Sequence, residues 1–163
     1  MAARLIASII LMTTLSGCSS PRTENSVRVS IAGETFLLEL SVDERSRIRG
    51  LMDRTSIDPE GGMLFVFPDA DLRSFWMSHC YIDIDLIFLD SRGTITAIHE
   101  MTVELPQEPD ETPWEYESRL RHYWSNGPAR FAIELAAGSI KRLDIHTNDR
   151  IVLDLPTLRS LAR

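Results

Sequence analysis

Imidazole, thiol, thioether and carboxylate side chains crowd into two short stretches of this sequence. One is Met77-Ser78-His79-Cys80 followed by Asp83 and Asp85; the other is His99-Glu100-Met101. Imidazole, thiolate and thioether are soft or borderline ligands that suit copper or zinc. A metal centre on His79, Cys80 and His99 requires the chain around 77–80 to lie beside the chain around 99–101. Hairpin pairing about Ser91-Arg92 allows this. Two things weaken it: Cys-x-x-Cys and His-Glu-x-x-His are absent, and neighbouring residues on a strand point to opposite faces. A second chemistry is nucleophilic, with Cys80 as the attacking thiolate and His99, better placed than the adjacent His79, as its base. No flanking nucleophile signature accompanies it. Asp83 and Asp85 would share a strand face and could form a carboxylate pair that holds a ligand. The plain alternative is a core methionine, a buried thiol, two satisfied histidines and a solvated acidic face; free cysteine is among the most buried residue types. Arg49 and Arg54 flank Gly50-Leu51-Met52 and are candidates to pair with buried carboxylates such as Asp85 or Glu134.

These residues need strands to hold them. Val27, Val29 and Ile31 alternate with Arg28 and Ser30, Gly33 turns the chain, and 35–42 is a second strand, giving a first hairpin. Ser41-Val42-Asp43-Glu44 has the form of a capping box, predicting a helix from about Val42 to Gly50 or Met52 with Ile48, Leu51 and Met52 facing the core. Met63 to Phe67 is continuously apolar and stops at Pro68, as expected for a strand buried on both faces. Tyr81 to Asp90 and Thr94 to Met101 form a hairpin about Ser91-Arg92-Gly93. Thr112-Pro113-Trp114-Glu115 is a strong helix start, with Glu115–Arg119 and Glu117–Arg121 as favourable pairs. Its aromatic residues, Trp114, Tyr116, Tyr123 and Trp124, either cover the core or leave a partner-binding surface. Arg130 to Leu135 is a strand, 138–143 a helical turn, and Ile151 to Leu155 a last strand. The sum is a mainly β or α+β domain: a compact antiparallel barrel or sandwich of about seven strands with two or three short helices.

The N-terminal residues are of another kind. Arg4 precedes an apolar run from Leu5 to Leu15 that is too short to span a bilayer, for which about 20 residues are needed, and fits the core of a secretory signal. Leu15-Ser16-Gly17-Cys18 resembles the lipobox of bacterial lipoproteins, which implies cleavage of residues 1–17 and lipid on Cys18. Residues 18–26 then make a lipidated cysteine and a flexible polar tether, and 27–163 a single domain. The expected address is the bacterial cell envelope; with Ser19 after the cysteine, it is the outer membrane facing the periplasm in a Gram-negative cell. Lipidation of Cys18 leaves Cys80 without a disulfide partner. A formal net charge of −7 with no basic stripe argues against nucleic acid as a partner.

Five motifs in order carry a wider resemblance: Arg49-Gly50-Leu51-Met52-x-Arg54, Gly62-Met63-Leu64-Phe65-x-Phe67, Phe75-Trp76-Met77, Asp85-Leu86-Ile87-Phe88-Leu89-Asp90 and Phe131-Ala132-Ile133-Glu134-Leu135-x-Ala137-Gly138. Through them the chain resembles the domain of unknown function 192 family over nearly all of 27–155. The resemblance implies a small β-rich domain, often secreted or lipid-anchored in bacteria, and no established reaction. Trp76-Met77-Ser78-His79-Cys80 departs from the Trp-Met-Lys-Asn-Thr common in that family. The functional expectation is a lipid-anchored module that binds a small ligand or an envelope protein without catalysis. The alternative is a copper- or zinc-binding protein or metal-dependent enzyme.

Overall fold

The computed structural model describes residues 25–163. The signal segment 1–17, Cys18 and the tether residues up to 24 lie outside the described residues.

Strands β1 (Ser26–Ile31) and β2 (Glu34–Ser41) form the expected first hairpin, Ile31 standing opposite Glu34. Ala32 and Gly33 both take positive φ at its tip, the turn whose twist matches that of paired strands. Helix α1 (Glu44–Arg49) follows. Its capping box lies on Asp43 and Ser46, not on Ser41 and Glu44: the Ser46 N–H donates to Asp43 Oδ1 at 2.9 Å and the Asp43 N–H to Ser46 Oγ at 3.2 Å. Ile48, expected in the core, is 62% exposed and Met52 half-buried, while Leu51 is buried as expected.

Strand β3 (Gly61–Asp71) pairs parallel to β2, the one departure from antiparallel pairing in the main sheet among the described residues. Parallel neighbours need a crossover of a dozen or more residues, and the segment 42–60 with α1 supplies it. Met63 to Phe67 is buried on both faces. Pro68 does not end the strand; the register slips between Val66 and Asp71, as suits a residue with no N–H to give the ladder. Strands β4 (Ser74–Phe75), β5 (Ile84–Leu89) and β6 (Ile95–Met101) follow, then helix α2 (Pro113–Arg119), β7 (Tyr123–Trp124), β8 (Ala129–Ala136), and helices α3 (Ser139–Arg142) and α4 (Leu155–Leu161). The box on Thr112 and Glu115 forms as expected. The helical pairs do not: Arg119 binds Glu111, and Glu115 turns back to Thr112. The expected strand over 151–155 is also absent; apart from one bridge between Thr94 and Arg150, that stretch leads into α4, started by Asp154 and Pro156.

The main sheet runs β1-β2-β3-β8-β5-β6, and β4 and β7 form a separate ribbon. Among the described residues the sheet is open and mixed, so the fold is mainly β of the α+β kind and the barrel reading is corrected. Both faces are apolar. Residues 64, 66, 87, 89, 131, 133 and 135 pack with Ile140, Leu143 and Leu158 on one side. Residues 63, 65, 67, 84, 86, 88 and 132 pack with Leu51, Met77, Cys80 and Tyr123 on the other. No helix among the described residues is long and apolar enough to cross a membrane.

Asp85 ties the sheet to α3. It is buried, and its Oδ2 accepts the Ile140 N–H at 2.7 Å. Burial raises its pKa, and the backbone donors of Ile140, Gly138 and Ser139 work against that rise. Asp85→Ala is therefore expected to cost about 2–3 kcal/mol in urea unfolding, with Asp85→Asn losing less. An alanine variant as stable as the wild type would contradict this role.

Candidate functional site

Each residue of the soft-ligand cluster finds its own local partners. His99 lies opposite Leu86 on the β5–β6 ladder; its Nε2 is 2.8 Å from the Trp124 carbonyl oxygen, and its ring meets Tyr123 edge-on. His79 is exposed at positive φ, its N–H donating to the Tyr116 hydroxyl at 3.0 Å and its ring beside that of Tyr116. Cys80 is buried and its thiol contacts the Ser78 carbonyl at 3.5 Å. Among the described residues no three His, Cys, Asp or Glu side chains gather into a group that could hold a metal. Asp83 is exposed and accepts the Val103 N–H at 2.8 Å, apart in role from Asp85. Tyr116 and Tyr123 are buried, whereas Trp114 and Trp124 are 77% and 52% exposed.

Burial pushes the Cys80 thiol up to about 12, with the acidic charges of Glu134 and Asp53 adding to the rise. The nucleophilic reading needs the opposite, a thiolate at neutral pH. At pH 8, labelling of folded Cys80 by a thiol reagent is expected to run at least about a hundredfold slower than in urea, because both the thiolate fraction and access are low. Equal rates, followed by absorbance, would contradict the buried thiol.

A different set of residues converges. Beside α1 a cleft of about 140 Å³ opens over the second apolar face of the sheet. Phe65 and Phe67 of β3, Phe75 of β4, and Leu51 line it; Phe75 meets Phe65 and Phe88 edge-on, at 4.9 and 5.3 Å between centroids. Its charged residues are Arg47, Arg49, Arg73 and Glu134, with Trp76 and Cys80 also in its wall. Four of the five sequence motifs thus reach this one cleft.

Glu134 is its chemical centre. It sits on β8 between β3 and β5, opposite Met63 and Leu86, and is 6% exposed. Burial pushes its pKa up to about 8, against a backbone hydrogen bond from Leu51 and the charge of Arg54. Its Oε2 has no hydrogen-bond partner. The ion pair expected from Arg54 goes instead to Glu39, a two-pronged contact at 2.6 and 2.7 Å. Gly50 lets the chain pass over this carboxyl: it has φ +48°, and a Cβ there would stand 3.3 Å from Phe65 Cζ and 3.4 Å from Glu134 Oε2. Trp76 Nε1 and Arg73 Nε are also buried without partners. A lone acid in the apolar run Phe131-Ala132-Ile133-Glu134-Leu135 is the signal that marks this site in the sequence. Arg47, Arg73 and Phe75 carry no such local signal.

Known proteins bear on this geometry as follows. No curated protein matches the chain. A protein from Sinorhizobium meliloti 1021, described as a candidate transcription regulator, is 33% identical, with a TM-score of 0.61 over 78% of this chain and 91% of its own. A protein of unknown function from Novosphingobium aromaticivorans DSM 12444 is similar in fold, at 24% identity and a TM-score of 0.62 over 87% of this chain and 99% of its own. Residues 27–153 match DUF192, described as "Uncharacterized ACR". With its motifs gathered around one buried carboxyl, the chain belongs to the domain of unknown function 192 family.

Proposed function

We propose that this protein is a lipid-anchored component of the bacterial cell envelope whose domain binds a small ligand in the Glu134 cleft and catalyses no reaction. The observation that carries the binding reading is the unpartnered, buried Oε2 of Glu134 in an aromatic-walled cleft. An unpaired buried polar atom costs about 1–3 kcal/mol, and such exceptions call for a partner that the chain itself does not supply. The cleft is close in volume to apolar cavities that admit a benzene-sized molecule. The exposed Trp114 and Trp124 favour a second contact, with an envelope protein. The transcription-regulator description of the Sinorhizobium protein is not carried over, because a chain of net charge −7 repels phosphate backbones.

Anchorage rests on Leu15-Ser16-Gly17-Cys18, with the membrane reached through lipid on Cys18 and, in a Gram-negative cell, the outer membrane as its place. Labelling with radioactive palmitate tests it. Wild-type chain should carry label and fractionate with membranes, and Cys18→Ser should do neither; an unlabelled wild type would overturn the anchor. Binding is tested by thermal-shift screening of small fragments. Hits should stabilise the wild type and lose their effect in Phe75→Ala; hits indifferent to that change would place the binding elsewhere.

A further inference from the structure

The charges around the cleft have a sign opposite to that of the whole protein. Three arginines line it against one carboxyl, in a chain of net charge −7. Arg73 is neutralised by Asp69, but the other two form no salt bridge among the described residues. Arg47 donates to the Val66 carbonyl and to the main-chain oxygen of Arg163. Arg49 is exposed, and its guanidinium has no hydrogen bond or ion pair among the described residues.

The buried atoms left without partners point the same way. Trp76 Nε1 and Arg73 Nε are donors only. Burial holds the pKa of the Glu134 carboxyl at about 8, so at neutral pH it is mainly a neutral acid with a proton to donate rather than a repelling charge. What the cleft lacks is an acceptor. Its walls are apolar: Phe65, Phe67 and Phe75 line it, Phe65 fully buried and Phe67 with the Arg73 guanidinium 4.4 Å from its ring centroid.

We propose that the cleft takes a small planar molecule bearing a carboxylate, its flat body against Phe67 and the half-buried Phe75 and its carboxylate among Arg49, Arg73 Nε and Trp76 Nε1. This deepens the binding reading above and rests on it. Arginine is the side chain best suited to a carboxylate, through paired parallel hydrogen bonds. A cationic analogue meets Arg47 and Arg49 with like charge, and a neutral amide offers one acceptor where the carboxylate offers two.

Calorimetric titration of the mature protein at neutral pH with phenylacetate, phenylacetamide and phenethylamine separates the possibilities. Phenylacetate should bind at least tenfold tighter than the amide, and the amine should not bind. Raising the salt concentration should weaken phenylacetate alone. Arg49→Gln, an exposed position whose change spares the fold, should reduce phenylacetate affinity several-fold and leave the amide unchanged. Equal binding of amide and carboxylate, or tighter binding of the amine, would overturn the carboxylate assignment while leaving the cleft a ligand site. Failure of all three probes to bind or to shift Trp76 fluorescence would overturn both.

Discussion

Replacing Glu134 by glutamine is expected to weaken the protein in acid and strengthen it in alkali. Burial holds the folded-state pKa of this carboxyl at about 8, against an ordinary value of 4.5. Between those values the folded chain binds a proton that the unfolded chain has lost. The wild type therefore has its full stability below about pH 4.5 and loses it progressively as pH rises toward 8. The whole swing is on the order of 5 kcal/mol. Glutamine does not titrate, and it places an amide where Oε2 lacks a partner, at a cost of about 1–3 kcal/mol. The two stability curves should cross between acid and alkaline pH. Urea unfolding of both proteins across that range checks this. Parallel curves would mean that Glu134 titrates as an ordinary surface acid.

Gly62→Ala should unfold the protein or come close to it. Gly62 opens the buried part of β3, opposite Leu135 of β8 and beside Leu38 of β2. Its φ is +152°, and a Cβ there would lie 2.2 Å from the Glu134 carbonyl oxygen and 3.0 and 3.1 Å from the side chains of Leu135 and Leu38. A clash with backbone in the central strand is not relieved by a rotamer change; β3 must move off β8, and Glu134 with it. A loss of about 4 kcal/mol or more is expected. Gly127→Ala is the comparison: φ is similar at +158°, but nothing stands within 4 Å, so its cost should stay near that of local strain, about 1–3 kcal/mol. Thermal unfolding of the two variants measures the difference, and equal losses would contradict it.

Local features read well from the sequence. The Thr112-Pro113-x-Glu115 start works because all its hydrogen bonds lie within four residues. The alternation in β1 and the apolar run of β3 also survive, since each reports its own burial. What failed was non-local or ambiguous. Ile151, Leu153 and Leu155 alternate like a strand, yet Asp154 and Pro156 start a helix there. The parallel β2–β3 pair and the insertion of β8 between β3 and β5 leave no mark in any single segment. The candidate site follows the same division. His79, Cys80 and His99 attract attention because their types are dense along the chain, but the fold gives each its own neighbours. The cleft draws on positions 47 to 134, brought together only by long-range pairing. From the sequence Glu134 reads only as a buried carboxylate for Arg49 or Arg54 to pair with, and Arg54 is engaged with Glu39 instead.

The most direct test of the cleft as the binding site is a two-dimensional ¹H–¹⁵N NMR titration of the labelled protein with phenylacetate. Shifts confined to the Trp76 indole N–H, Gly50 and Leu51, with Trp114 and Trp124 unmoved, are the expected result. Shifts at Trp114 or Trp124 with a silent Trp76 would contradict it, and would place the ligand on the exposed aromatic surface instead.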